Sequence, residues 1–133
     1  MTEKTLVLLK PDAVERNLIG SILVEYERNN LKVLDMKLMK ASTKLAEQHY
    51  AEHMGKPFFN HLVAYLTRNP LVALVLEGEN AISRVRTLNG TTDPENSPDN
   101  TIRALYGLSM SENTVHASDS KESADRERVI WFG

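Results

Sequence analysis

The chain has 133 residues, 41% of them hydrophobic and 26% charged, with a formal net charge of −2, which suits one domain over residues 1–133 burying roughly two thirds of its unfolded surface. It contains no cysteine, and that excludes a disulfide framework, a thiolate metal site and a cysteine nucleophile. The charge balance lacks the basic excess of a nucleic-acid binder, and no apolar run approaches the ~20 residues of a membrane span.

Met1-Thr2-Glu3-Lys4 leads straight into a strand-like run, so no signal peptide is expected and the reading is a cytoplasmic protein of a reducing compartment. Thr5-Leu6-Val7-Leu8-Leu9 predicts a buried strand closed by a turn at Lys10-Pro11-Asp12. Ile19, Ile22, Leu23 and Tyr26 recur at helical spacing, and Asn29-Asn30 ends that helix. Lys32 to Met39 partly alternates and predicts a half-buried strand. Ser42-Thr43 offers a cap to a helix carrying Leu45, Ala46, His49, Tyr50 and His53. Gly55-Lys56-Pro57 breaks it, and Phe58, Leu62, Val63 and Leu66 predict a second short helix.

Leu71-Val72-Ala73-Leu74-Val75-Leu76 is the clearest buried strand, and Asn80 is placed to cap a helix with Ala81, Val85 and Leu88 on one face. From Asn89 to Glu112 the pattern dissolves into a long loop. Such loops are mostly functional or disordered. Thr114-Val115-His116-Ala117 predicts a brief strand, and Asp119 or Ser120 caps a last helix whose Ala124, Glu127 and Trp131 share a face. The order of elements predicts an α/β domain, compatible with a ferredoxin-like, four-stranded antiparallel sheet covered by helices.

His116 sits at the end of that predicted strand, and a neutral imidazole keeps a nucleophilic lone pair. A nucleophilic histidine needs an orienting group, and Glu127, linked through Ser118, is the candidate. A satisfied core histidine with a surface glutamate is the competing reading. Lys10, Arg86 and Arg103 lie at element ends or beside the long loop, where guanidinium forks and an ammonium suit phosphate oxygens. Thr91-Thr92 beside Gly90 adds hydroxyl and backbone donors. Each cation alone reads equally as a solvated surface charge. No glycine-rich phosphate cradle is present.

Of Phe58 and Phe59, one is free to lie on a nucleobase and at least one must pack in the core, since neighbours on a helix point apart. Tyr50 reads either as a hydroxyl at a cleft rim or as a half-buried core residue. His49 and His53 have the i, i+4 spacing of metal ligands, yet Tyr50 stands where His-Glu-x-x-His needs its glutamate, and no third ligand is evident. No metal site is expected there, and His61 reads as an exposed helix residue.

Taken together, Leu9-Lys10-Pro11-Asp12, Tyr50-Ala51-Glu52-His53, Lys56-Pro57-Phe58-Phe59, Leu76-Glu77-Gly78-Glu79-Asn80-Ala81, Gly90-Thr91-Thr92-Asp93-Pro94, Thr101-Ile102-Arg103 and Asn113-Thr114-Val115-His116-Ala117-Ser118-Asp119 resemble the nucleoside diphosphate kinase family over nearly the whole chain. The resemblance implies a ping-pong reaction in which a nucleoside triphosphate phosphorylates His116 and a nucleoside diphosphate collects the phosphate. It also implies Glu127 and Ser118 behind the ring, and Lys10 and Tyr50 at the transferring phosphate. Arg86, Thr92 and Arg103 would hold the other phosphates, and Asn113 with Lys10 the ribose. Phe58 would stack on the base, with Leu62 and Met110 nearby. Mg²⁺ would ride on the nucleotide, without protein ligands. A homo-oligomer built on a dimer is implied as well.

Three positions depart from the family pattern. Ala117 replaces the usual glycine and is expected to have ordinary φ, since a positive φ would cost alanine ~1 kcal/mol. Ala104-Leu105-Tyr106 replaces Gly-Asp-Phe, and the chain ends at Trp131-Phe132-Gly133, which leaves a bare dimer open. Two other classes of protein fit the sequence less well. An RNA-binding sheet needs exposed aromatics on central strands, and the predicted strands at Leu6–Leu9, Val33–Met39 and Leu71–Leu76 have none. A protein phosphocarrier needs neither Phe58 nor Asn113, and a dead relative would have lost His116, Lys10 or an arginine.

Overall fold

The computed structural model describes residues 2–110 and 112–133. Met1, and Ser111 within the predicted loop, lie outside the described residues. The strands are β1 (Thr2–Leu9), β2 (Lys32–Met39), β3 (Leu71–Glu79) and β4 (Val115–Ala117), in the order β2-β3-β1-β4. All three pairings are antiparallel. The helices are α1 (Pro11–Glu15), α2 (Ile19–Arg28), α3 (Thr43–His49), α4 (Phe59–Thr67), α5 (Ala81–Asn89), α6 (Ile102–Tyr106) and α7 (Lys121–Phe132). This is the split β-α-β arrangement of a ferredoxin-like sheet.

Leu6, Val7, Leu8 and Leu9 are each 0% exposed, so both faces of β1 are covered. Side chains alternate across a strand, and the core accordingly divides in two. Val7, Leu9, Val72, Leu74 and Leu76 pack with Ile22 and Tyr26 of α2 and Val85 of α5. Leu6, Leu8, Leu71 and Ala73 pack on the opposite face with Ala46 of α3, Leu66 of α4 and Trp131 of α7.

Local chemistry sets three of these seven helix starts. Ser42 Oγ accepts from Leu45 N (3.1 Å), Thr101 Oγ1 from Ala104 N (3.3 Å) and Ser120 Oγ from Ser123 N (3.1 Å), each satisfying a backbone donor that a helix start leaves unpaired. Asn80 differs from expectation. Its side chain makes no cap bond, and it stands before α5 in the left-handed region at φ 50°, a conformation asparagine tolerates.

Three other expectations are corrected. Pro11-Asp12 opens helix α1 rather than forming only a turn, because proline's fixed φ suits a first helical position. The helix expected through His53 ends at His49 and continues as a 3-10 turn over Ala51–His53. The stretch from Asn89 to Glu112 is no unbroken loop: it contains a 3-10 turn at Pro94–Asn96 and α6, where Ala104-Leu105-Tyr106 are helical. The single buried apolar anchor of α6, Ile102, gives too little periodicity to read.

Candidate active site

β4 positions the central imidazole. His116 pairs with Leu8, and directly opposed residues share a sheet face, so the ring lies on the face carrying α3, α4 and α7. There α7 buries Ala124, Glu127 and Trp131. Glu127 Oε1 stands 2.8 Å from His116 Nε2 and accepts a second hydrogen bond from Ser118 Oγ at 2.7 Å. Burial pushes the Glu127 carboxyl up, but the bonds from His116 and Ser118 and the nearby charges together hold it below the usual carboxylate range.

An ionised carboxylate only accepts. His116 Nε2 therefore carries the proton, and a neutral ring keeps its lone pair on Nδ1. Among the described residues no hydrogen bond occupies that nitrogen. The side chain of His116 is 22% exposed against 6% for Glu127, so the imidazole is open where its partner is covered.

The ring opens on a cavity of about 730 Å³. Lys10, Arg86 and Arg103 all line it, which gathers three predicted cations on a chain of net charge −2. Lys10 is buried at the end of β1, and its Nζ donates to Asn113 Oδ1 at 3.0 Å. Burial, reinforced by Arg103 and opposed by Asp12, brings the Lys10 ammonium down to about 7. Arg103 donates from both fork nitrogens to backbone, to Gly90 O at 2.8 Å and Val115 O at 2.7 Å. Gly90 has φ +92°, and a Cβ there would lie 2.7 Å from Thr101 Oγ1, so only glycine fits that turn. Asn113 Nδ2 donates to Thr92 O at 3.1 Å, tying the loop to the site.

Phe58 is 46% exposed at the cavity while Phe59 is 9% exposed in the core, which is the division expected of adjacent helical positions. Leu62 and Met110 line the same space. Tyr50 is buried rather than set at the rim, yet it lines the cavity. Burial, then Glu127, pushes its phenol well above the ordinary tyrosine range. Tyr50 Oη, Asn89 Nδ2 and Arg103 Nε are buried, without hydrogen-bond partners among the described residues, and all belong to cavity-lining residues. Buried polar atoms are normally paired, so the cavity suits a polar ligand. Every predicted site residue lies at this cavity except Ser118, which is buried behind Glu127. Ala117 has ordinary φ, as expected.

Sequence reasoning missed His49 and Asn89. His49 is buried, with its ring centroid 4.5 Å from that of His116, whereas His53 lies against Phe58 at the cavity. His49, His116 and Glu127 form a cluster of metal-ligand size among the described residues. The donors do not suit an ion. Trp131 Nε1 donates to His49 Nδ1 at 3.1 Å, so the proton of the neutral ring sits on Nε2. Burial, then the neighbouring His116, holds His49 well below the usual histidine range. Its signal was the i, i+3 step from Ala46, which places both on the buried side of α3. Asn89 ends α5 and accepts from Tyr26 Oη at 2.6 Å; the sequence pattern assigns it to the start of the long loop.

A four-stranded sheet that sets an imidazole beside a cationic cavity has the chemistry of a phosphotransferase. A family model described as nucleoside diphosphate kinase matches residues 3–133. Among curated relatives, the nucleoside diphosphate kinase of Clostridium perfringens is 57% identical over 130 residues, covering 98% of this chain and 91% of that protein. That of Pyrococcus abyssi is 53% identical over 133 residues, covering 98% and 84%. Among solved structures, the Aquifex aeolicus nucleoside diphosphate kinase superposes with TM-score 0.97 at 39% identity, over 100% of this chain and 96% of that one. A halophilic one from Halobacterium salinarum, in complex with CDP, gives 0.96 at 41% identity, over 99% and 88%. The chain belongs to the nucleoside diphosphate kinase family. Its reaction moves the γ-phosphate of a nucleoside triphosphate to a nucleoside diphosphate.

Proposed function

We propose that His116 is the residue that carries the phosphate between nucleotides, at Nδ1. The observation that carries this reading is the 2.8 Å contact of Nε2 with Glu127, which fixes the tautomer and leaves the lone pair on Nδ1 of a ring that lines the cavity. The Nδ1 lone pair attacks the γ-phosphorus. The bond from phosphorus to the β–γ bridging oxygen breaks, and the nucleoside diphosphate leaves with that electron pair. The ring then holds both the phosphoryl group on Nδ1 and the proton on Nε2, and Glu127 balances its positive charge. A second nucleoside diphosphate reverses the same steps. Such transfer needs little covalent work from the protein, and positioning with charge stabilisation supplies most of the rate.

Lys10 and Tyr50 serve the transferring phosphate, and Arg86, Thr92 and Arg103 the remaining ones. Asn113 with Lys10 binds the ribose, and Phe58, Leu62 and Met110 accept the base by stacking and contact. The nucleotide arrives as its Mg²⁺ complex. A hard cation takes about six oxygens, which the nucleotide's phosphates and water would supply.

The working form is a homo-oligomer built on a dimer. Supporting it, Leu34, Met36 and Leu38 are exposed on edge strand β2, and Val24 is exposed on α2. No helix among the described residues is long and apolar enough to cross a membrane, and the location proposed is the cytoplasm. No specific nucleic acid is bound.

Incubation with γ-labelled Mg–ATP tests the central assignment. Acid-labile, base-stable label is expected on the unaltered protein, discharged by GDP and absent from His116→Ala. Label that persists in His116→Ala removes the assignment.

A further inference from the structure

Five non-glycine residues among those described have positive φ, and four are asparagines. The fifth is Thr114 at φ 78°, a conformation seldom adopted by β-branched residues. Val115 N donates to Asn113 O across it at 2.9 Å, so Thr114 is the centre of a γ-turn of the strained hand. It is fully buried and falls between Asn113 and the His116 strand.

Strain of this kind persists only where the surroundings over-determine it. Thr114 Oγ1 lies 2.7 Å from Asp12 Oδ2 and 3.2 Å from Tyr106 O. Its backbone N donates to Tyr65 Oη at 3.3 Å, and its carbonyl accepts from Lys10 N at 2.8 Å. Asp12, 0% exposed, joins these contacts: Oδ1 accepts from Tyr65 Oη and Oδ2 from Arg16 at 3.2 Å. The two residues are 102 positions apart in the chain.

We propose that Asp12 is a positioning residue for phosphoryl transfer: by holding Thr114 in its strained turn it sets the Lys10–Asn113 pair against His116. This rests on the reading of His116 as phosphate carrier. The carboxylate has a second consequence. Around the Lys10 ammonium stand Arg103 of α6, the Tyr65 ring of α4 at 5.5 Å, and His49 of α3. Tyr50, Arg86, His116 and Glu127 face it across the cavity. Burial and Arg103 ease the loss of the ammonium proton, and Asp12 opposes them. Replacing the charge of Asp12 therefore moves the loss of the Lys10 proton to lower pH.

Single-turnover formation of phosphohistidine from Mg–ATP, followed from pH 6 to 9, tests this in Asp12→Asn and Thr114→Val. Thr114→Val keeps the β-branch and the Asp12 charge; its rate should fall about tenfold, with the alkaline limb where the unaltered protein has it. Asp12→Asn should lose at least as much and also shift that limb to lower pH. A wild-type rate in Thr114→Val, or an unmoved limb in Asp12→Asn, overturns the proposal. If Asp12→Asn does not fold, Thr114→Val decides by its rate alone. Failure of the unaltered protein to label His116 would strike the carrier reading instead, so the two failures are separable.

Discussion

The two edges of the sheet are built on opposite plans. β2 runs for eight residues and most of its side chains are exposed. β4 has three residues, and its first is fully buried. At the β4 edge a side chain supplements the short ladder: the Arg103 guanidinium donates to the Val115 carbonyl, next to the backbone bond from Lys10 N to the Thr114 carbonyl. At the β2 edge the ladder is merely bent, with a register irregularity between Val33 and Asp35. A long edge strand templates pairing with another chain. A short one anchored by a guanidinium fixes a single residue in space. The first plan suits assembly and the second suits chemistry.

The largest effect beyond loss of the imidazole itself is expected behind β4. Glu127→Gln keeps the shape and a hydrogen-bond acceptor but removes the charge that faces the phosphorylated ring. We expect kcat to fall roughly 10²-fold, the scale of losing one electrostatic donor or acceptor at a developing charge. Nucleotide Kd, measured by calorimetry, should change much less. Unchanged turnover would remove Glu127 from the transfer step and weaken the contrast between the edges.

An intermediate effect is expected from pH. The nucleotide-free Lys10 ammonium has a pKa of about 7, lowered by burial and by Arg103. Above that pH the free cavity has a neutral amine, and an incoming polyphosphate restores the preference for the charged form. Binding must then take up a proton. Calorimetry at pH 8 in buffers of different ionisation enthalpy should show net uptake, and affinity should weaken by roughly tenfold per pH unit at most once Lys10 is neutral. In Lys10→Met the Lys10 share of that uptake should vanish. An unaltered uptake in that variant would locate the proton elsewhere.

The legible parts of the molecule are those whose signal is local. Leu71–Leu76 reads as a strand because six consecutive apolar residues are buried on both faces, and Ser42 and Ser120 announce their helices by chemistry three residues away. The His116–Glu127 pair was visible as a carboxylate on the buried side of a helix, eleven positions from the ring. Thr114 carried no such signal, because its strain is held by Asp12 and Tyr65, both distant in sequence. His49 escaped for a different reason: its neighbour in the fold is Trp131, and no spacing within α3 implies that pairing. Local propensity also misread Asn80, whose backbone tolerance mattered where its side chain was expected to act.

The smallest effect on catalysis is expected at β2, and it tests the division of labour most directly. Met36 and Leu38 pair with Leu74 and Val72 of β3, so their side chains extend the face covered farther in by α2, yet they remain exposed. Val24 of α2 is exposed on that side too. A second copy laid along this edge would remove these side chains from water, at roughly 25 cal/mol per Å² of apolar surface. A charge in the middle of the seam would then have to be desolvated without a partner, which is costly. Leu38→Glu is therefore expected to dissociate the assembly to monomers by analytical ultracentrifugation and to lower the melting temperature. Two strands, β3 and β1, separate β2 from β4, so the rate per chain should stay within about twofold, in keeping with independence of well-separated sites. A large loss of activity in a monomeric, folded Leu38→Glu would show that the imidazole edge depends on the assembled edge. An unchanged sedimentation coefficient would mean that β2 is not the seam.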